Sequence, residues 1–236
     1  MKIEINPKYN TLTSFIQTIP EQFDQSGSIV YEGRNVLRKY VVNNLQLVVK
    51  SFKPPHLINR FVYGNIRKSK AFRSFHYALL LRDQGINTPE PVAYIEQYNM
   101  GLVHSYYISL ESPFTRNLRE FWFVPEIGDR RLILKEFGLF TARMHELNVL
   151  HRDYSAGNVL FGLVDGKISF DLVDINRMSF NPVSEEAGYK NFAPLWLTDD
   201  AYMEIAKAYA RGRGFDEIRA VKRVLFYKNL FMEKHK

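Results

Sequence analysis

Eight consecutive residues, His151-Arg152-Asp153-Tyr154-Ser155-Ala156-Gly157-Asn158, carry the most specific chemistry in this chain. They match H-R-D-x-x-x-x-N and run into the strand-like Val159-Leu160-Phe161. An aspartate at the start of such a loop can accept or orient a hydroxyl proton, while an asparagine five residues on turns back to a Mg²⁺ on nucleotide phosphates. Asp174 follows, beyond a hairpin-like pair of β runs, where a second metal-binding carboxylate is needed. The need is physical: charge on phosphate oxygens must be neutralised, and hard Mg²⁺ takes oxygen donors. Lys50 lies well upstream on a β-rich run, placed to reach the α- and β-phosphates. Singly these residues say little, since strand lysines are common and loop aspartates often cap turns. Together, in this order, they read as phosphoryl-transfer machinery using ATP and Mg²⁺, with Asp153 and Lys50 catalytic and Asn158 and Asp174 on the metal.

The elements that must position them are legible as two blocks. Three β-rich runs, Ile29–Tyr31, Val36–Val42 and Leu45–Phe52, are separated by the turn formers Glu32-Gly33-Arg34-Asn35 and Asn43-Asn44. They predict an antiparallel meander carrying Lys50 on its third strand. A helix is expected over Ser69–Gln84, with Phe72, Phe75 and Leu79 on its buried face and Gly85 at its C′ position. Val92–Ile95 and Leu102–Leu110 read as two further strands.

After Leu110 the pattern turns helical. A short segment is expected at Leu118–Phe121, then Arg131–Leu147 with Ile133, Phe137, Phe140, Met144 and Leu147 on one face. The β runs Val159–Leu163 and Ile168–Val173 are split by the turn Asp165-Gly166. Helices over Asp199–Arg211 and Asp216–Lys234 each open at an aspartate suited to N-capping. The fold class is therefore α+β and bilobal: residues 1–110 as a small antiparallel-sheet lobe with one helix, and 111–236 as a mainly helical lobe.

Composition bounds the rest. With 236 residues, 46% hydrophobic and 24% charged, the chain is an ordinary globular one rather than a disordered one. The absence of cysteine excludes a disulfide framework, a thiolate nucleophile and cysteine-ligated metal, and makes the cytosol the default compartment. No signal-peptide core opens the sequence, and no run approaches the roughly 18 apolar residues of a spanning helix. The formal charge of +7, from 32 basic against 25 acidic residues, is read first as solvated surface. Phe121-Trp122-Phe123 and Tyr106-Tyr107 are expected in packing, and His104 and His145 lack partners at metal-ligand spacing.

From Ser28 to the last helix the chain resembles the protein-kinase-like superfamily, and within it the Kdo/WaaP-type lipopolysaccharide kinase family. Asp174-Ile175-Asn176-Arg177 replaces Asp-Phe-Gly, and its arginine resembles that branch, as do Ala78–Leu81 with Gly85–Pro91 and the short segment after Asp174. The resemblance implies phosphorylation of a sugar hydroxyl of a lipopolysaccharide core or related glycolipid. Nucleotide would be bound by Lys50, by the turn around Gly33 and by hinge backbone groups at Leu110 and Glu111. Arg60, Arg67, Lys68, Lys70 and Arg73 could meet an anionic inner membrane peripherally.

The sequence also departs from the kinase pattern. The nucleotide-covering turn has a single glycine, Gly33, and no glutamate lies between Ser69 and Asp83 to pair with Lys50, leaving Glu90, Glu96 or Asp83 for that task. No Ala-Pro-Glu follows Asp174, and Asn191-Phe192-Ala193-Pro194-Leu195 is a superficial echo of it. The loop residues are assigned supporting parts: Arg152 braces the loop, His151 is a buried hydrogen-bonding residue rather than a base, and Gly157 permits a positive backbone angle. Another acceptor, such as an aminoglycoside, a small alcohol or a protein serine, stays open, as does a non-enzymatic pseudokinase. Without a reader motif, no nucleic-acid partner is expected.

Overall fold

A computed structural model describes residues 1–54, 68–123 and 128–235. Arg60 and Arg67 of the basic group lie outside them. The chain forms two compact units, Met1–Gly85 with Pro89–Ser112, and Ile86–Thr88 with Pro113–Lys236.

The first unit is built on a six-stranded antiparallel sheet. Its strands are β1 (Lys2–Ile5), β2 (Ser28–Glu32), β3 (Asn35–Val42), β4 (Leu45–Phe52), β5 (Pro91–Tyr98) and β6 (Leu102–Leu110), in the order β1-β5-β6-β4-β3-β2. Asn43 and Asn44 have φ of 49° and 62°, so the β3–β4 hairpin closes on two left-handed residues, the conformation that matches strand twist and that asparagine tolerates. Strand alternation sorts the sheet into two faces. On one, Leu47, Val49, Ala93, Ile95, Tyr106 and Ile108 pack with Leu12, Ile16, Ile19 and Phe23. On the other, Phe52 and Tyr94 pack with Ala71 and Phe75.

The first face is covered by a helix additional to the expected one, α1 (Thr13–Gln22), with a 3₁₀ turn at Pro7–Leu12 leading into it. The expected helix, α2 (Lys70–Asp83), covers the second face. Ser69 caps α2 by accepting from the Phe72 amide at 2.9 Å, and Gly85, with φ 71°, follows its end. Its buried stripe is Ala71, Ser74, Phe75, Ala78 and Leu81; Leu79, expected inside, is exposed. The alanines set the face, because small side chains let the helix approach the sheet.

The second unit carries the helices α3 (Glu120–Phe123), α4 (Arg130–Glu146), α5 (Glu185–Asn191), α6 (Asp199–Arg213) and α7 (Glu217–Glu233). Among them lie β7 (Arg116–Asn117), β8 (Leu150–His151), β9 (Val159–Val164), β10 (Lys167–Leu172) and β11 (Met178–Ser179). Strands β10-β9-β7 form one small sheet and β11-β8 another. The β9–β10 hairpin closes at Asp165-Gly166, with φ of 49° and 73°. Phe137 on α4 lies under the loop residue Tyr154, with ring centroids 5.5 Å apart, and also meets Phe170 and Phe192.

Two expectations change here. Asp216 does cap α7, accepting from the Arg219 amide at 2.7 Å, but the N-cap of α6 is Thr198. Asp199 falls in the first turn, where its carboxylate takes Lys228 Nζ instead. Residues Ile86–Thr88, read by sequence as part of 1–110, pack with the second unit: Thr88 Oγ1 donates to the Leu172 carbonyl at 2.7 Å, and the Leu172 amide donates to the Asn87 carbonyl at 3.0 Å.

Candidate active site

Within the second unit, residues 151–158 are held from below by α4 and from the side by the segment running through Asp174. Tyr154 is fully buried, and its hydroxyl lies 2.9 Å from Thr141 Oγ1 on α4. His151 is buried as well. Its Nδ1 accepts from the Asp153 amide and its Nε2 donates to the Val173 carbonyl, each at 3.1 Å. These partners fix the tautomer, and burial lowers the imidazole pKa, so His151 is a neutral hinge pin with no nitrogen left to act as a base. The Val173 amide donates to the Asn158 carbonyl at 3.0 Å and the Arg152 amide to the Arg177 carbonyl at 2.8 Å. Met178 pairs with His151 across β11–β8. Backbone bonds thus lock residues 173–178 to both ends of the loop.

This scaffold sets three polar groups, two on the loop and one at Asp174. Asn158 Nδ2 donates to the Asp153 carbonyl at 2.8 Å. Because a carbonyl can only accept, the amide orientation is determined, and Asn158 Oδ1 is the atom presented outward. Asp153 leaves its side chain 44% exposed, open to an incoming hydroxyl, with Arg177 Nη1 3.5 Å from its Oδ2. Asp174 adopts φ 55° and ψ 39°, a left-handed conformation that costs a non-glycine residue about 1–2 kcal/mol and is kept by the tight bonds on both sides. Its Oδ1 accepts from Asn176 Nδ2, and Asn176 is itself buried. Asn158 Oδ1 and the Asp174 carboxylate are oxygen donors of the kind Mg²⁺ requires. Among the described residues no group of three or more His, Asp or Glu side chains could hold a metal unaided, so an ion here would take its remaining ligands from phosphate and water.

Two loop residues act differently from each other. Arg152 donates to Ser179 Oγ at 3.3 Å, a brace like its backbone bond. Gly157, by contrast, has no positive φ, so the expected backbone reason for a glycine does not hold. A Cβ built there would stand 2.5 Å from Nε and Nη2 of Arg119 and 2.6 Å from its Cζ. The glycine makes room for a guanidinium.

Sequence reasoning missed a buried hydrogen-bond chain behind the loop. Arg213 Nη1 donates to the Tyr209 hydroxyl at 3.0 Å, which lies 2.9 Å from His145 Nδ1. His145 Nε2 is 3.1 Å from Asn191 Oδ1, and Asn191 Nδ2 donates to the His151 carbonyl at 2.9 Å. Burial pushes the His145 pKa down to about 4. Gly188 admits this chain, since a Cβ there would collide with the Tyr209 hydroxyl. Thus Asn191, on the segment read as an echo of Ala-Pro-Glu, anchors the loop.

The remaining predicted site residues lie in the first unit. Lys50 pairs with Tyr107 on β6, which pairs with Tyr94 on β5, and the next row on that face is Phe52, Ser105 and Glu96. The lysine is therefore on the α2 side of the sheet, with its Nζ 5.3 Å from the Phe52 ring centroid. Of the acids considered as its counter-charge, Glu96 shares that face and is buried, whereas Glu90 is occupied by Lys8 at 2.8 Å and Arg82 at 3.5 Å. Gly33 sits in the β2–β3 turn, its amide 3.2 Å from the Asn35 carbonyl. The Leu110 and Glu111 amides already donate to the carbonyls of Glu90 and Gln46, at 2.9 and 2.8 Å, so neither is open as a donor to a base.

Comparison with known proteins bears on both units. The model of the "Lipopolysaccharide kinase (Kdo/WaaP) family" matches residues 36–206, from β3 through the catalytic-type loop into α6. Among solved structures, "WaaP in complex with acyl carrier protein" superposes with a TM-score of 0.68 at 17% identity, covering 99% of this chain and 98% of that one. The Rio2 kinase of Chaetomium thermophilum, solved with ADP, Mg²⁺ and phosphoaspartate, gives 0.49 at 16% identity over 92% of this chain and 67% of that one. Comparison with curated protein sequences gives no match. The first superposition shows that the chain shares the fold of that WaaP, in keeping with the α+β class and the antiparallel sheet expected from the sequence.

Proposed function

The chain belongs to the lipopolysaccharide kinase (Kdo/WaaP) family, and from that premise we propose that it moves the γ-phosphoryl group of ATP to a sugar hydroxyl of a lipopolysaccharide core or related glycolipid. The observation that supports the reading is the pair of oxygen-donor residues, Asn158 and Asp174, on segments tied by backbone bonds to the loop of the half-exposed Asp153.

In this mechanism Asp153 orients the acceptor hydroxyl and takes its proton as the oxygen attacks the γ-phosphorus, the bond from that phosphorus to the β–γ bridging oxygen breaks, and ADP leaves. Asn158 and Asp174 would hold Mg²⁺, which when bound would supply charge neutralisation on the phosphate oxygens. Lys50 aligns the α- and β-phosphates, with the Gly33 turn and the segment at Leu110-Glu111 bordering the nucleotide. Catalysis of this kind is chiefly positioning and electrostatics, which is why the protein invests in so many bonds that fix the loop.

Purified protein incubated with γ-labelled ATP, Mg²⁺ and deacylated core oligosaccharide tests the reading. Label should appear on the sugar and vanish when Mg²⁺ is chelated. Transfer to an aminoglycoside, a small alcohol or a protein serine, with none to the oligosaccharide, would reassign the acceptor.

The proposed place of work is the cytoplasmic face of the inner membrane, in peripheral contact. Among the described residues no helix is long and apolar enough to cross a membrane. The net charge of +7 supports attraction to anionic lipid. Binding to anionic vesicles should weaken with salt, and binding indifferent to lipid charge would remove the idea. The acyl carrier protein held by the solved WaaP makes that protein the first partner to test by co-purification; its failure to co-elute would count against such a partner.

A further inference from the structure

The guanidinium over Gly157 is not accounted for by the fold. Its neighbour Arg116 is neutralised twice, by Glu120 and by Asp129, each at 2.9 Å, and lies over the Phe161 ring. Arg119, three residues on, is exposed and has no carboxylate partner among the described residues. What holds its head group is apolar or neutral: the Trp122 ring, with centroid 5.5 Å from Cζ, and the glycine backbone. The Trp122 indole is itself fixed, its Nε1 donating to the Leu195 carbonyl at 2.7 Å.

The segment is also rigidly referenced to the loop. Asn117 pairs with Leu160 and Arg116 with Phe161, on the strand that starts immediately after Asn158. Asn117 Oδ1 accepts from the Arg119 amide at 3.0 Å. A cation with no carboxylate partner among the described residues is therefore presented, pre-positioned, beside Gly157, the residue that precedes Asn158 in the loop that carries Asp153. An arginine fork on such a platform matches the geometry of a carboxylate or phosphate.

The geometry points to Arg119 as the residue that recognises an anionic group on the acceptor, a carboxylate or phosphate carried near the hydroxyl to be phosphorylated. The inference rests on the proposed transfer to a core sugar, and it adds that the acceptor must be acidic. Gly157 serves this role by leaving the space the guanidinium fills.

The test is equilibrium binding of deacylated core oligosaccharide, measured without nucleotide, in three forms: native, with carboxyl groups converted to amides, and phosphatase-treated. Wild-type protein should bind the native form about 10–100-fold more tightly than one of the neutralised forms, the range for one charge-assisted bidentate contact. The neutralised form that loses affinity identifies carboxylate or phosphate as the group. Arg119→Ala should bind all forms alike. Gly157→Ala, which displaces the guanidinium while keeping its charge, should shrink the preference and carries the test if Arg119→Ala fails to fold.

In turnover, Arg119→Ala should raise KM for the oligosaccharide and leave KM for ATP unmoved. A wild type that does not discriminate, a preference that survives in both variants, or a raised KM for ATP alone overturns the assignment. Discriminating binding without transfer of label would instead remove the phosphotransferase reading and leave Arg119 in place.

Discussion

Replacing His145 by glutamine should flatten the pH dependence of stability in mildly acidic solution. In the folded protein burial holds the His145 pKa at about 4, against an ordinary value of 6.5. Below pH 6.5 the unfolded chain therefore binds a proton that the native chain refuses, and stability falls as pH falls until about pH 4, where the native imidazole also titrates. At about 1.4 kcal/mol per factor of ten in proton affinity, the whole span is worth about 3 kcal/mol, of which about 2 kcal/mol is lost between pH 6.5 and 5.

That window is clean of the paired carboxylates. Glu90, Asp129, Glu186 and Asp200 all have lowered pKa values and lose their contribution at lower pH. Buried His151 adds a term of the same sign, present in both proteins. Urea midpoints at closely spaced pH values would show it. His145→Gln starts lower at pH 7, because the bonds to Tyr209 and Asn191 are disturbed, yet should lose about 2 kcal/mol less than wild type between pH 6.5 and 5. Parallel curves across that window would refute the buried neutral imidazole.

Asn176→Ala should weaken Mg²⁺ dependence by roughly 10–100-fold in the ion concentration giving half-maximal transfer, since the side chain orients Asp174; unchanged Mg²⁺ titration would show that orientation is not its role. Ile16→Ala, in the fully buried face of α1, should cost about 2–5 kcal/mol by denaturant unfolding. A loss under 1 kcal/mol there would mean that α1 is not part of the core of the first unit.

How far the sequence could be read depended on whether the signal was local. The meander at residues 28–52 was legible because asparagine pairs and β-branched runs speak for themselves, and Asn43-Asn44 is the left-handed turn they imply. Strand β1 and helix α1 were not, because a four-residue strand has too few alternations and α1 contains Pro20 and starts at an uncapped Leu12. Their existence is decided by the sheet face they bury. Leu79 misled for a related reason: three leucines in a row fit several helical faces, and Ala71 and Ala78 choose among them through packing.

At the candidate site, Asp153, Asn158 and Asp174 stand out in the sequence as candidates because the proposed chemistry demands fixed spacing, while Asn176 and Asn191 do not, because a supporting amide obeys no spacing rule. Gly157 was given a backbone reason when its real one is Arg119, a side chain from a segment far away in sequence. No local pattern joins those two residues.

The most direct test of the phosphotransferase account compares wild type with Asp153→Asn and Asp174→Ala, using γ-labelled ATP, Mg²⁺ and deacylated core oligosaccharide, with thermal unfolding run in parallel. Both substitutions fall on half-exposed or turn positions outside the cores, so both proteins should stay folded, Asp174→Ala with a loss of about 1–3 kcal/mol from the vacated bond to buried Asn176, while transfer drops by about three orders of magnitude or more. Folded variants that still label the sugar at the wild-type rate would contradict it.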